Sequence, residues 1–152
     1  MADKGDKMKK RIGVIILAIC SVMVLGTALA QGDSQEAIVR DLITQRTDTL
    51  AGFYAGDIDQ DAAIETIEYM ETDLQKKMDI ENIDKYFRTD IEQVKKYEFE
   101  RIHVTFSDDE MICADVTIRW EAEGLMGKED FSHTYEVICI KEDNRYKLAQ
   151  FY

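Results

Sequence analysis

Residues 111–141 read MICADVTIRWEAEGLMGKEDFSHTYEVICIK. Ile112, Ala114, Val116, Ile118 and Trp120 alternate with Cys113, Asp115, Thr117, Arg119 and Glu121. That period of two belongs to a strand with one buried face, so 111–122 is expected to be a strand. Gly124-Leu125-Met126-Gly127 reads as a turn into a second strand at about 129–141. A four-residue turn sets Glu123 opposite Lys128. Trp120 then falls opposite Phe131, Ile118 opposite His133, Val116 opposite Tyr135 and Ala114 opposite Val137. Pairing Cys113 directly with Cys139 needs a one-residue slip. The slip would set the apolar face beside Ser132, Thr134 and Glu136. The two cysteines are therefore expected on opposite faces, unbridged.

Outward from this hairpin, 97–106 reads as a preceding strand with a turn at 107–110. Glu142-Asp143-Asn144-Arg145 turns into a last strand ending at Tyr152. Upstream the period lengthens to that of a helix. Val39, Leu42, Ile43, Arg46, Leu50, Phe53 and Tyr54 predict an amphipathic helix over 35–54, with Ser34 as N-cap and Gly56 as terminator. Ile64, Ile67, Met70 or Glu71, Leu74 and Met78 predict a second over about 60–78. Ile83, Phe87, Ile91 and Val94 predict a broken third over about 82–96, restarted by a capping box at Thr89-Asp90-Ile91-Glu92. Three helices followed by an antiparallel sheet of about four curved strands is an α+β order.

Two short signatures carry a family resemblance. Phe53-Tyr54-Ala55-Gly56-Asp57-Ile58-Asp59 follows the first helix, and Asp143-Asn144-Arg145-Tyr146-Lys147-Leu148-Ala149 closes the chain. Over about 35–152 the chain resembles the nuclear-transport-factor-2-like, or SnoaL-like, superfamily. The first stretch is similar to that family's small-Gly-Asp helix ending, the second to its final hairpin. The resemblance implies a cone of helices on a curved sheet. Its members include isomerases, dehydratases, transport factors and export or conjugation subunits, so it does not fix a function.

The first 11 residues end in Lys9-Lys10-Arg11, and the run from Ile12 to Ala30 carries no charge. Nineteen residues at about 1.5 Å each span roughly 28 Å, enough to cross a bilayer. The basic flank is expected in the cytoplasm and everything after residue 30 outside. Cleavage after Ala28-Leu29-Ala30 would make 12–30 a signal peptide. Retention would make it a single transmembrane anchor. Leu17-Ala18-Ile19-Cys20 faintly resembles a lipobox, against which bulky Ile19 argues. All three give a cell-surface or secreted bacterial domain at 35–152, behind a short joint at 31–34. The whole chain has a net charge of −12, and the residues after 30 hold 14 basic against 29 acidic ones. Such a body excludes nucleic acid as a partner.

Site signals are sparse. Trp120, His133, Tyr135 and Tyr152 are the cavity candidates on the expected buried face, and His103 joins them only in a suitable register. An acid–base enzyme would need a base there with an opposing oxyanion donor, and Asp115 points the other way. No catalytic residue is assigned, and no cofactor or metal is expected. Asp57, Asp59, Asp61 and Glu68 resemble a calcium loop, yet Ala62 stands where that loop wants Gly. Capping of the second helix is the expected role of Asp57 or Asp59. On the opposite sheet face Ile138, Ile140 and Phe151 are expected to cluster beside Met111 and Cys113 as a homodimer or partner surface. The reading is a non-enzymatic extracytoplasmic interaction module, laid out like a bitopic subunit of a cell-envelope assembly. The alternative is a cone whose interior binds a small molecule or performs isomerase- or dehydratase-like chemistry.

Overall fold

A computed structural model describes residues 34–86, 93–124 and 126–152. The expected signal or anchor at 12–30, most of the joint and the 89–92 capping box lie outside the described residues. Within them the fold is α+β: three helices, then a four-stranded antiparallel sheet in the order β1-β2-β3-β4. The elements are α1 (34–55), α2 (Gln60–Met70), α3 (Asp73–Lys85), β1 (Gln93–Ser107), β2 (Met111–Gly124), β3 (Gly127–Glu142) and β4 (Arg145–Phe151). Gln35–Tyr152 form one compact unit.

Helix α1 ends as its sequence predicts. Gly56 has φ +84°, its N–H donates to Phe53 O at 3.0 Å, and Asp57 N–H donates to Gly52 O at 2.8 Å. This paired closure requires a left-handed residue that glycine supplies without strain. Asp59 then caps α2, its Oδ1 accepting from Ala62 N–H at 2.8 Å.

The second helical stretch departs from expectation. A single helix over 60–78 would bury Leu74 and Met78, but they are 63% and 44% exposed. The chain instead leaves the helix at Glu71 and Thr72, both extended. Glu71 bridges to Leu148 in parallel, and Thr72 N–H donates to Leu148 O at 3.0 Å. This contact with the edge of β4 resets the helical phase. Helix α3 therefore starts at Asp73 and buries Gln75, Asp79 and Ile83. The third helix expected over 82–96 is likewise corrected: α3 ends at Lys85, and 93–96 already belong to β1.

The β2–β3 register is the expected one. Glu123 faces Lys128, Trp120 faces Phe131, Val116 faces Tyr135 and Cys113 faces Ile138. Cys113 and Cys139 are both free thiols. Strand β1 carries three register irregularities against β2. Each bulge inserts an unpaired residue and resets the alternation. Hence the uneven spacing of Val94, Tyr97, Phe99, Ile102 and Val104 still packs all five against the core. That core joins Val39, Leu42 and Ile43 of α1 to Ile112, Val116, Ile118 and Trp120 of β2 and to Val137, Cys139 and Leu148. Asp143 and Asn144 make the β3–β4 turn with φ +51° and +62°, the type I′ pattern that suits a two-residue hairpin.

A fourth irregularity, between Ile138 and Cys139 in their pairing with β4, changes the end of the chain. Strict alternation would put Phe151 beside Ile138 and Ile140 and turn Tyr152 inward. The bulge at Ala149 exchanges them: Phe151 pairs with Val137 on the helix side, and Tyr152 pairs with Glu136.

Candidate functional site

On the helix side of the sheet the aromatic residues form a chain of ring contacts. Tyr97 and Trp120 have centroids 5.8 Å apart, Trp120 and Tyr135 6.1 Å, and His133 and Tyr135 4.6 Å. Phe151 stacks on Tyr135 at 4.3 Å, and the Arg46 guanidinium lies 4.9 Å from the Phe151 ring centroid. Exposure grades along this chain. Trp120 is 7% exposed, Tyr135 is half-buried and His133 is exposed. Tyr152 is 63% exposed and donates to Glu136 Oε2 at 3.1 Å. His103 faces Asp115 and is exposed. The four expected cavity residues thus do not converge. A depression of about 180 Å³ does reach Trp120, but its other walls are Arg46, Thr47, Leu50, Tyr54 and Val94 with Ala51. It holds neither His133 nor Tyr135, and drug-sized ligand sites run from about 300 Å³ upward.

The most unusual chemistry lies deeper and was not foreseen. Arg46 of α1 grips Asp79 of α3 with both ends of its fork, Nε to Oδ2 at 2.6 Å and an Nη to Oδ1 at 2.9 Å. Glu71 Oε1 stands 3.5 Å from the same Nε. Gln75 donates to Asp79 Oδ2 at 3.1 Å and accepts from the Phe151 N–H at 2.9 Å. Glu71 is 0% exposed. Its burial first, and then the neighbouring Asp79 carboxylate, push its pKa from 4.5 to about 9 against the pull of Arg46. Glu71 is therefore protonated at neutral pH, leaving one cation and one carboxylate, a balanced pair. The group ties α1, the α2–α3 joint, α3 and β4 together. Glu71 and Asp79 are sealed from solvent, so the group acts as an internal clamp. Arg46 was legible as a polar member of an apolar stripe. Glu71 stood in the expected stripe only as the alternative to Met70, and Asp79 was hidden because its burial follows from the phase reset at Thr72.

The outer face of the sheet carries an apolar row. Phe106 pairs with Cys113, Cys113 with Ile138, and Met111 with Ile140. Phe106 is exposed, and the other four are half-buried. The expected cluster therefore keeps Ile138 and Ile140, loses Phe151 to the helix side and gains Phe106. Farther along the same face, Arg119 binds Asp130 through two contacts of 2.9 and 2.6 Å, and Thr117 meets Thr134 at 2.9 Å. Neither thiol is activated. Burial raises Cys139 to about 12, and burial with Asp108 raises Cys113. Among the described residues no three His, Cys, Asp or Glu side chains gather to hold a metal. No described helix is long and apolar enough to cross a membrane.

No family model matches the chain, and no curated protein matches it. Among solved structures it is similar to the crystal structure of the intermembrane space region of chloroplast protein ARC6. The two share 10% identity over 75% of this chain and 92% of that one, with a TM-score of 0.46.

Proposed function

We propose that residues 35–152 form a non-enzymatic, extracytoplasmic interaction module, held at a cell envelope by the N-terminal segment or released from it. The observation that carries this reading is the outer-face row of Phe106, Met111, Cys113, Ile138 and Ile140. Acidic groups border it: Asp108, Asp109 and Glu110 in the β1–β2 turn, and Asp115 opposite Glu136. An apolar centre with an acidic rim suits a protein partner whose apolar patch is rimmed by Lys or Arg. The nuclear-transport-factor-2-like resemblance and the bitopic layout belong to the same reading.

Cross-linking and pull-down from intact cells, with mass-spectrometric mapping of the N-terminus, tests it. Ile138→Lys should remove a partner that the native chain recovers, while circular dichroism and melting temperature stay unchanged. A native chain that recovers no protein, or an Ile138→Lys chain that retains every partner, refutes the reading.

A further inference from the structure

The apolar row on the outer face is narrow and bounded. Phe106, Cys113 and Ile138 lie side by side across β1, β2 and β3, and Met111 with Ile140 forms the row beside them. At about 4.8 Å between strands and about 6.8 Å between same-face residues along a strand, the patch measures roughly 15 Å by 14 Å, about 200 Å². A stable interface between globular proteins buries about 800 Å² on each partner. Asp115 and Glu136 occupy the next row on one side, and Asp109 and Glu110 stand in the turn on the other.

Elsewhere on this face the acids have cations to meet. Arg119 holds Asp130 and faces Glu98, Lys96 lies 3.5 Å from Glu121, and Lys128 faces Glu123. Lys147, opposite Ile140 and 8% exposed, has its Nζ 3.0 Å from Glu142, so its charge is engaged within the chain. The acids that flank the apolar patch have no such partner. Among the described residues no Lys, Arg or His forms an ion pair with Asp109, Glu110, Asp115 or Glu136. Asp115 and Glu136 stand directly opposite each other, and like charges so placed destabilise a sheet.

We infer that this face receives one amphipathic α-helix lying across the strands, with an apolar inner stripe and Lys or Arg along both flanks. The inference rests on the outer-face reading and names the form of its partner. The patch alone is too small to hold a globular protein, and the acidic flanks of a second copy would repel it. A helix fits the dimensions. The span from Asp109 to Asp115 is roughly 20 Å at about 3.4 Å per residue. A helix about 10–12 Å wide lies within it and leaves a few ångströms on each side for basic side chains to reach the acids. Its pitch of about 5.4 Å nearly matches the strand spacing of about 4.8 Å, so apolar residues at i, i+4 and i+7 meet Phe106, Cys113 and Ile138 in turn. A helix also pairs its own backbone groups, whereas an extended segment lying flat on side chains would leave its N–H and C=O groups without partners.

The test uses the full chain in nanodiscs of zwitterionic lipid, with Cys20 replaced by Ser. Cys113, half-buried in the middle of the patch, then reports occupancy, since Cys139 is fully buried. Synthetic peptides carrying one Cys are exchanged onto it as mixed disulfides against 2-mercaptoethanol. Three are compared: a short helix with Leu, Cys and Leu at i, i+4 and i+7 between flanks of Lys, the same composition scrambled, and the same helix with Glu for Lys. The Lys helix should withstand about tenfold more 2-mercaptoethanol than either of the others. Asp115→Lys combined with Glu136→Lys should turn the preference toward the Glu helix while circular dichroism stays native. Asp115→Asn combined with Glu136→Gln should flatten it, and decides the matter if the first variant fails to fold. Equal capture of the three peptides overturns the proposal. So does stronger capture of the Glu helix by the native chain, or equal capture of a Lys peptide whose helix is broken by proline. A disulfide between two copies at Cys113, or a Cys113 closed to every peptide by the chain's own first 33 residues, overturns it as well. If capture fails while Ile138→Lys still removes a cellular partner, the outer-face reading stands and the helix alone is refuted.

Discussion

Replacing Glu71 by Gln should stabilise this protein at neutral and mildly alkaline pH. Glu71 is 0% exposed, and its pKa rises from 4.5 to about 9, chiefly through burial and then through the Asp79 carboxylate. The folded chain holds that proton over a range in which the unfolded chain has lost it. A raised carboxyl pKa contributes stability that is full below pH 4.5 and is lost as pH rises toward 9. The slope is at most about 1.4 kcal/mol per pH unit. Between pH 5 and pH 8 the native chain should lose roughly 4 kcal/mol, against a total of about 5–15 kcal/mol for a domain. A glutamine side chain keeps the shape and the donor but cannot ionise. Other groups act elsewhere: Asp130 and Glu142, lowered by Arg119 and by Thr72 with Lys147, matter as pH falls through the acid range. Cys139, raised from 9.0 to about 12, matters above pH 9. Urea unfolding followed by the fluorescence of Trp120, the sole tryptophan, reads the difference at pH 5, 6, 7 and 8. Glu71→Gln should give a nearly flat line and the native chain a falling one. Parallel lines, or a Glu71→Gln protein less stable than the native one at pH 8, would refute the reasoning.

Two further outcomes follow from the packing. Trp120→Ala should cost about 3–5 kcal/mol, since Trp120 is 7% exposed and belongs to the buried cluster that joins β2 to α1. A loss under about 1 kcal/mol by circular-dichroism melts would undo the placement of β2 against α1. Asp59→Ala should cost about 1 kcal/mol by removing the bond to Ala62 N–H. Millimolar calcium should leave the melting temperature of the native chain unmoved. A rise of several degrees, lost in Glu68→Gln, would show that these acids form a cation loop.

Local pattern determined much of this protein by itself. The β2–β3 register followed from period-two alternation around a short turn, because any slip moves every apolar side chain to the wrong face. The ending of α1 was legible because Gly56 satisfies a local backbone requirement. The outer-face placement of Ile138 and Ile140 followed from the same alternation. Only tertiary structure decided the rest. Glu71 and Thr72 leave the helix because the edge of β4, far along the chain, offers them backbone partners. That contact turns Gln75 and Asp79 inward and Leu74 and Met78 outward, reversing what hydropathy alone predicts. The bulge at Ala149 exchanges Phe151 and Tyr152 between faces, and no local signal marks it. Periodicity reports which side of an element is apolar. Bulges, helix breaks and unpaired edges depend on which distant backbone groups remain free to pair, and that is settled only when the elements meet.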